Sequence, residues 1–275
     1  MKIPILILNF GFFEVISKST YLKVKLFMTK SIYESFKKII TMTKINKLQE
    51  IIDSSENIVF FGGAGVSTES GIPDFRSADG IYSKTPEELV SHTYYFEHTE
   101  EFFEFYKENL IFKDAKPNPA HYKLAELEKE GKLKAVITQN IDGLHQKAGS
   151  KNVLELHGSV HRNNCQICNK NYDVDYILNS EGIPRCECGG IIKPDVVLYE
   201  EPLNNATLNF AVNYISNAET LIIGGTSLVV YPAAGLINYF NGKNLVLINK
   251  SETPYDNLAT LVINDAIGET LSKLR

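Results

Sequence analysis

The stretch KAVITQNIDGLHQKAG, residues 134–149, passes from an apolar run directly into side chains that form hydrogen bonds. Gln139, Asn140 and Asp142 stand at this boundary, where the run predicts the end of a buried strand. In an open α/β sheet the ligand lies beyond the carboxyl ends of the strands. We therefore predict that these three side chains contact a ligand.

A glycine-rich turn follows the first predicted strand, in FFGGAGVSTESG. Gly63 and Gly65 would let the backbone approach a pyrophosphate, whose charge is favourable at the N-terminus of a following helix. However, Thr68 replaces the third glycine of the dinucleotide fingerprint, and a purely structural turn would also use glycine. By itself this motif leaves both interpretations open.

Two further strand ends carry polar residues. LIIGGTSLVVYPAAG places Gly225, Thr226 and Ser227 after an apolar run, and LVLINK places Asn249 after another. Hydroxyls and backbone amides at the first could hold phosphate or ribose oxygens, and the side chain of Asn249 could hold a pair of ribose hydroxyls. Polar ends of several strands at one sheet edge fit a long ligand of several parts, such as NAD.

The loop SGIPDFRS combines Asp74, Phe75 and Arg76 just after the first glycine-rich turn. A surface loop with a weak ion pair between Asp74 and Arg76 would account for these residues. Beside a glycine-rich turn, a phenylalanine next to an arginine favours a loop that covers a bound cofactor. The spacing alone does not decide between the two.

His157, at the end of VLELHG, is the strongest candidate for a general base. An imidazole at the carboxyl end of a strand, beside a predicted cofactor, can exchange a proton near neutral pH. His121, His145 and His161 lack this combination of features, and we interpret them as structural.

All four cysteines lie in one segment, within CQIC and CEC: Cys165, Cys168, Cys186 and Cys188. Two close pairs at this spacing indicate a tetrathiolate zinc site. A catalytic zinc needs an open coordination position, which four thiolates do not leave, so we expect a structural zinc that stabilises a small lobe. Cysteines used in this way suit a reducing, cytoplasmic compartment.

A parallel sheet must position these residues. Short apolar runs alternate with helical patterns, which is typical of βαβ units in an α/β protein. We predict a Rossmann-like parallel sheet with helices on both faces, plus a smaller zinc-binding and helical lobe. The predicted strands are NIVFFGG, KAVITQ, VLELHG, VVLY, TLIIGG and NLVLIN, and the predicted helices of the small lobe are PEELV, EEFFEFYKENLIF and PAHYKLAELEKEGK.

The first 41 residues differ in composition, with seven Lys, two Glu and no Ala, Asp or Arg. Their apolar run, IPILILNFGFF, is too short to span a bilayer, and no small-residue cleavage site indicates a targeting peptide. MTKINKLQEIIDSSENIVFF predicts a helix and then a first strand, a normal beginning for an α/β domain. We therefore expect residues 1–41 to be an N-terminal extension, with native translation starting at Met42.

The motifs GAGVSTESGIPDFRS, TQNIDGLHQKAG, ELHG, the four cysteines, KPDVVLYEE and GTSLVVYPAAG, in this order, resemble the sirtuin family of NAD-dependent protein deacylases. They look closest to its bacterial and archaeal deacetylase branch, and the match runs from about Met42 to the C-terminus. The resemblance implies a catalytic domain over 42–275, in which NAD and an acyl-lysine peptide meet between two lobes. The Rossmann lobe would cover roughly 42–80, 131–159 and 191–275, and the small lobe roughly 81–130 and 160–190.

The resemblance also implies roles for individual residues. Asn140 would orient the nicotinamide ribose and a water, and His157 would be the base. Asp142 would accept a hydrogen bond from the nicotinamide carboxamide, in a pocket completed by Phe75 and Ile141. The remaining contacts to NAD would come from Gly63, Ala64, Gly65, Thr68, Arg76, Gln139, Gly225, Thr226, Ser227, Asn249 and Asp265.

The implied reaction removes acetyl groups from protein lysines and yields nicotinamide, O-acetyl-ADP-ribose and free lysine, without participation of the zinc. VVLYEE would pair with the substrate peptide as an edge strand. Val197 and Tyr199 would flank the acyl-lysine channel, and Glu200, where glycine is common, would favour basic peptides. Family members that remove succinyl or malonyl groups use a Tyr and an Arg of the helical lobe. This chain has no Arg between Arg76 and Arg162, so we expect a preference for acetyl over succinyl and malonyl groups.

Two other functions remain open at this stage. An NAD-dependent mono-ADP-ribosyltransferase could use the same pocket, and a zinc module could bind nucleic acid. The formal net charge of -5 argues against the second, because nucleic-acid binding favours a basic face. We expect neither a membrane partner nor direct nucleic-acid binding. The C-x-C spacing of the second cysteine pair departs from the usual C-x-x-C of the family and requires a tighter ligand loop.

Overall fold

The computed structural model describes residues 30–275, with side chains from Lys38 onward. By internal contacts the chain divides into two units, Met1–Lys44 and Ile45–Arg275. Most of the predicted extension, residues 1–41, lies outside the described residues. The start at Met42 therefore stays a prediction.

Nine strands in this part of the chain form two sheets. A six-stranded parallel sheet has the order β3-β2-β1-β7-β8-β9, and a three-stranded antiparallel sheet has the order β5-β4-β6. The strands are β1 (Ile58–Gly62), β2 (Leu133–Thr138), β3 (Val153–Glu155), β4 (Gly158–Cys165), β5 (Asn171–Tyr172), β6 (Ile192–Val196), β7 (Thr220–Gly224), β8 (Asn244–Ile248) and β9 (Leu261–Ile263). The predicted parallel sheet is confirmed, including β1, β2, β3, β7 and β8.

Helices pack on both faces of the parallel sheet, and others share a core with the small sheet. Within residues 30–275, none is both long and apolar enough to cross a membrane. The α-helices are α1 (Lys30–Asp53), α2 (His92–Glu97), α3 (Thr99–Asn109), α4 (Pro119–Lys129), α5 (Leu144–Ala148), α6 (Val174–Asn179), α7 (Asn205–Asn217) and α8 (Ile267–Leu271). Short 3₁₀ segments include Ala64–Val66, Thr68–Ser70, Ile81–Ser83, Glu87–Val90, Ala233–Tyr239 and Asp256–Leu258.

Both faces of the parallel sheet are covered by apolar layers. On one face, residues of α1, α4 and α8 such as Leu48, Leu124 and Leu271 pack with alternate sheet residues. On the other face, α7 and the segment Ala233–Tyr239 form a second core. Because both faces are covered, β1, β7 and β8 are buried at every residue, as continuous apolar runs predict.

The stretch VVLY is not a strand of the parallel sheet, and this prediction was wrong. Val196 ends β6, which pairs antiparallel with β4 in the small sheet. Val197–Tyr199 lie beyond β6, where Tyr199 forms a single bridge with Ser91. The physical reason is that β6 buries only alternate residues, whereas a central parallel strand buries all of them.

Helix α4 belongs to the core of the parallel sheet, although the sequence placed it in the small lobe. Asn118 caps its N-terminus and Pro119 occupies its first position. Ala120, Leu124 and Leu127 then pack on one face of the parallel sheet. The core of the small lobe instead combines α2, α3 and α6 with the antiparallel sheet. The bounds of the two lobes stay a prediction, and α4 is the helix within them that packs with the parallel sheet.

Candidate functional site

The carboxyl ends of the central parallel strands open into a cavity of about 550 Å³ that the small lobe also lines. This volume lies within the range of small-molecule and cofactor sites. Every residue predicted from the sequence to contact cofactor or peptide lines this cavity. These residues are Gly63, Ala64, Gly65, Thr68, Phe75, Arg76, Gln139, Asn140, Ile141, Asp142, His157, Val197, Tyr199, Gly225, Thr226, Ser227, Asn249 and Asp265.

The two glycine-rich turns pack directly against each other. Gly65 N–H donates to the carbonyl of Gly225 at 2.8 Å. A Cβ on Gly63 would lie 2.9 Å from Cβ of Thr226, and one on Gly65 would lie 2.8 Å from Cα of Gly225. Glycine is therefore required by the contact of the two turns, and the same bare backbone can approach a pyrophosphate closely.

The turn after β1 does not lead into a regular helix, in contrast to the prediction. Two 3₁₀ segments, Ala64–Val66 and Thr68–Ser70, follow the strand, and the backbone at Gly71 is left-handed. Without a long helix, no macrodipole supports an anion at this turn. Close approach of the backbone is what these turns can offer to phosphate groups.

Two polar side chains that follow β2, Asn140 and Asp142, form a hydrogen-bonded chain with Ser67. Asn140 Nδ2 donates to Ser67 Oγ at 3.0 Å, and Ser67 Oγ donates to Asp142 Oδ2 at 2.6 Å. Gln139 Nε2 donates to Thr226 Oγ1 at 3.1 Å, which links the ends of β2 and β7. The sequence reasoning missed Ser67, although its position inside the glycine-rich motif could have indicated it.

Asp142 is the carboxylate end of this chain and is partly buried. Leu144 N–H also donates to its Oδ1, at 2.9 Å. Burial raises the pKa of Asp142, because removing the carboxylate from water costs more than the hydrogen bonds from Ser67 and Leu144 return. A desolvated carboxyl of this kind interacts strongly with a further donor, such as a carboxamide, that reaches it.

His157 follows β3, and its ring is held by one backbone carbonyl. Its Nδ1 lies 3.0 Å from the carbonyl of Gln139. A carbonyl can only accept, so Nδ1 carries the hydrogen and Nε2 of the neutral ring is left as an acceptor. Burial also lowers the pKa of His157, which favours the neutral ring. The imidazole is therefore prepared to accept a proton at Nε2.

Asn249, at the end of β8, is engaged with the second turn. Its Oδ1 accepts from Thr226 N–H and its Nδ2 donates to the carbonyl of Thr226, both at 3.0 Å. The side-chain amide has one further hydrogen and one further lone pair available. Asn249 can therefore fix the turn and still bind a hydroxyl group.

Arg76 turns towards the predicted acyl-lysine channel. Its Nη2 donates to Tyr199 Oη at 2.7 Å and lies 3.2 Å from Glu87 Oε1. The Asp74 carboxylate instead accepts from the backbone N–H groups of Arg76 and Ser77. The ion pair between Asp74 and Arg76 that the sequence left open is therefore not formed.

The four cysteine sulfur atoms converge at one point in the small lobe, all within 4.8 Å of one another. Cys165 and Cys188 are 3.4 Å apart, and Cys168 lies 3.5 Å from Cys186. Tetrahedral zinc with bonds of about 2.3 Å needs sulfurs about 3.8 Å apart, so the donor set fits zinc. The tight C-x-C loop closes through the hydrogen bond from Cys186 N–H to the carbonyl of Gly190, 2.8 Å long.

His121, His145 and His161, the three histidines interpreted as structural, do not line the cavity. His121 and His145 are buried side by side, with ring centroids 4.7 Å apart. Nε2 of His161 lies 3.0 Å from the carbonyl of Asp142. These positions agree with their interpretation as structural residues.

Comparisons with known proteins indicate one family. The Sir2 family model matches residues 63–232. The chain is 63% identical over 238 residues to an NAD-dependent protein deacetylase of Clostridium acetobutylicum, covering 84% of this chain and 97% of that protein. It is 66% identical over 239 residues to an NAD-dependent protein deacetylase of Clostridium perfringens, covering 84% and 98%.

Solved structures show the same likeness. One is a Sir2 histidine-to-alanine variant with a deacetylated p53 peptide and 3′-O-acetyl ADP ribose, with a TM-score of 0.78 and 43% identity. Another is a Sir2 complex with a p53 peptide and NAD⁺, with a TM-score of 0.74 and 43% identity. Each alignment covers 82% of this chain and 95% of the other.

Proposed function

The chain belongs to the Sir2 family of NAD-dependent protein deacetylases, and on this premise we propose how its cavity residues remove acetyl groups from protein lysines. The proposal rests on the position and hydrogen bonding of the His157 ring. This ring is partly buried, and the lowered pKa of His157 favours the neutral form. Its tautomer is fixed by the carbonyl of Gln139, and it lines the same cavity as Asn140 and Asp142.

NAD, when bound, supplies the ribose carbon that the acyl oxygen attacks, nicotinamide as the group that leaves this carbon, and the ribose hydroxyl that finally carries the acetyl group. The backbone of the paired glycine turns would hold its phosphates, together with the hydroxyls of Thr68, Thr226 and Ser227. Asp142 would accept from the carboxamide, in a pocket completed by Phe75 and Ile141. Ser67 supports this role because its hydroxyl already orients the Asp142 carboxylate.

His157 would act as general base through Nε2 and take a proton from a ribose hydroxyl. Its lowered pKa keeps the base form populated at neutral pH. Asn140 would orient the ribose and a water, because its Nδ2 is fixed by Ser67 while its carbonyl oxygen has capacity for another donor.

The acyl-lysine would enter beside Val197 and Tyr199, which line the cavity close to His157. The edge available to a substrate peptide is shorter than the sequence predicted, because Tyr199 N–H donates to Val90 and its carbonyl accepts from His92. The Glu200 carboxylate accepts from Thr93 N–H and Thr93 Oγ1. The preference for basic peptides that was predicted from Glu200 is therefore weakened, because Thr93 already binds the Glu200 carboxylate.

The zinc would hold the small lobe together and take no part in proton transfer. Four thiolates around one ion leave no coordination position for a substrate. The two lobes would meet at the cavity, with the small lobe supplying one wall of the acyl-lysine channel. Thiolates kept reduced for a metal support a cytoplasmic location for the protein.

One assay separates the proposed function from its alternatives. The purified protein is given NAD and one peptide in acetylated, succinylated or unmodified form, and nicotinamide release is measured. We expect release with the acetylated peptide and formation of O-acetyl-ADP-ribose. Faster turnover of the succinylated peptide would contradict the acetyl preference. Release with the unmodified peptide, with ADP-ribose transferred to it, would favour the ADP-ribosyltransferase.

A further inference from the structure

Glu69 joins two cavity-lining segments that are far apart in sequence. Its Oε2 accepts from Gly268 N–H at 2.6 Å and its Oε1 accepts from Glu269 N–H at 3.0 Å. Both partners belong to α8, and Gly268 is 199 residues from Glu69 in sequence. Glu69 directly follows Thr68 of the first glycine-rich motif, so one carboxylate ties the turn after β1 to the C-terminal segment.

The segment that Glu69 holds lies at the end of the cavity remote from Asp142. Asp265 follows β9, the edge strand, whereas Asp142 follows β2 on the opposite side of β1. From Asp265 the chain returns towards the sheet centre, where Ile267 Cδ1 packs so tightly on Gly224 that a Cβ there would clash with it. Asp265, Ala266 and Ile267 all line the cavity.

Gly268 supports the same contact independently. A Cβ at this position would lie 2.8 Å from both carboxylate oxygens of Glu69. The backbone of Gly268 does not have a positive φ, so its conformation does not demand glycine. A side chain at position 268 would therefore force the Glu69 carboxylate to move.

We propose that Glu69 is a positioning residue for the adenosine end of NAD. This inference rests on the proposed function, in which Asn140 and Asp142 take the nicotinamide end. The opposite end of the ligand then lies against Asn249 and Asp265. Glu69 touches no part of the ligand and acts by holding Asp265–Ile267 at a fixed distance from the turn that binds the phosphates.

The test compares Glu69→Ala with the wild-type enzyme in steady-state turnover of an acetylated peptide. Loss of two hydrogen bonds from a partly exposed carboxylate should raise the KM for NAD about three- to tenfold. The kcat at saturating NAD should change by less than about twofold, because no group at the reacting atoms is altered. Binding of ADP-ribose should weaken by the same factor as the KM, whereas inhibition by nicotinamide should not change.

Glu269→Gln is the matched control, since it removes an exposed negative charge from the same short helix while leaving its backbone N–H and an acceptor oxygen for Lys273 in place; it should leave the KM for NAD nearly unchanged. Gly268→Ala approaches the contact from the other side and should raise the KM for NAD similarly. If both substitutions act on one contact, adding Gly268→Ala to Glu69→Ala should raise the KM for NAD by a much smaller factor than Gly268→Ala does in the wild-type enzyme. Thermal unfolding of each variant checks that the fold is intact.

An unchanged KM for NAD in Glu69→Ala, or an equal loss of nicotinamide inhibition, would overturn the inference. Fully additive effects of the two substitutions would also overturn it. Failure of the proposed function is a different result, because the wild-type enzyme would then show no NAD-dependent turnover. If Glu69→Ala does not fold, Glu69→Gln retains one acceptor oxygen and should show a smaller change in the same direction.

Discussion

The buried pair His121 and His145 should make the folded protein sensitive to mild acid. Their side chains are 0% and 1% exposed, and both ring nitrogens of His145 have no hydrogen-bond partner among the described residues. Burial lowers the pKa of His121 to about 4. Burial, together with the charge that His121 would carry, lowers the pKa of His145 to about 3.

The direction of the effect follows from these pKa values. In the unfolded chain each imidazole titrates near 6.5, so below that pH the unfolded state binds more protons than the folded state. The stability that the two neutral histidines contribute is therefore fully present above about pH 6.5. It is lost as the pH falls towards their pKa values in the folded protein. Between pH 8 and pH 5, each histidine should remove about 2 kcal/mol from the free energy of unfolding.

Substituting His145 with glutamine tests this reasoning. The variant keeps a neutral polar side chain but cannot titrate, so its loss of stability between pH 8 and pH 5 should be smaller than that of the wild type by about 2 kcal/mol. Urea unfolding at the two pH values, with zinc present, measures the difference. His98→Gln, at an exposed position, should leave the loss unchanged. An equal loss in His145→Gln and the wild type would refute the argument.

Three further outcomes follow from the site. Glu87→Gln should lower the Kd for NAD about two- to fivefold in calorimetry, because Arg76 then breaks one ion pair fewer when it turns to NAD. Weaker binding of NAD would contradict this. Cys168→Ser should reduce bound zinc below one per chain in atomic absorption and lower the Tm, and retention of both would exclude the proposed ligand set. Asp142→Ala should weaken nicotinamide inhibition about tenfold or more while ADP-ribose binding changes less, and equal losses would remove Asp142 from the nicotinamide pocket.

The parallel sheet could be predicted because its strands are buried on both faces and appear as unbroken apolar runs. The run around β9 was not recognised, since the strand contains only Leu261–Ile263. VVLY was misassigned because an apolar run carries no information about its partner strand. The helix pattern of α4 was correct, but a helical period does not tell which lobe the apolar face will contact.

The cavity residues were predictable for a related reason, namely that polar side chains stood at the ends of recognisable strands. The contacts that orient these side chains could not be predicted. The sequence separation between Ser67 and Asp142, or between Glu69 and Gly268, hides these pairs until the fold is known. The partners of Arg76, which are Tyr199 and Glu87, likewise become known only from the folded chain.

The central claim is that His157 is the base of an NAD-dependent deacetylation. The most direct measurement is the turnover of an acetylated peptide by His157→Ala, with His98→Ala as control and with NAD binding measured separately. We expect turnover to fall about 100- to 10,000-fold in His157→Ala while NAD still binds and the control remains active. Turnover of His157→Ala equal to that of the wild type would contradict the account.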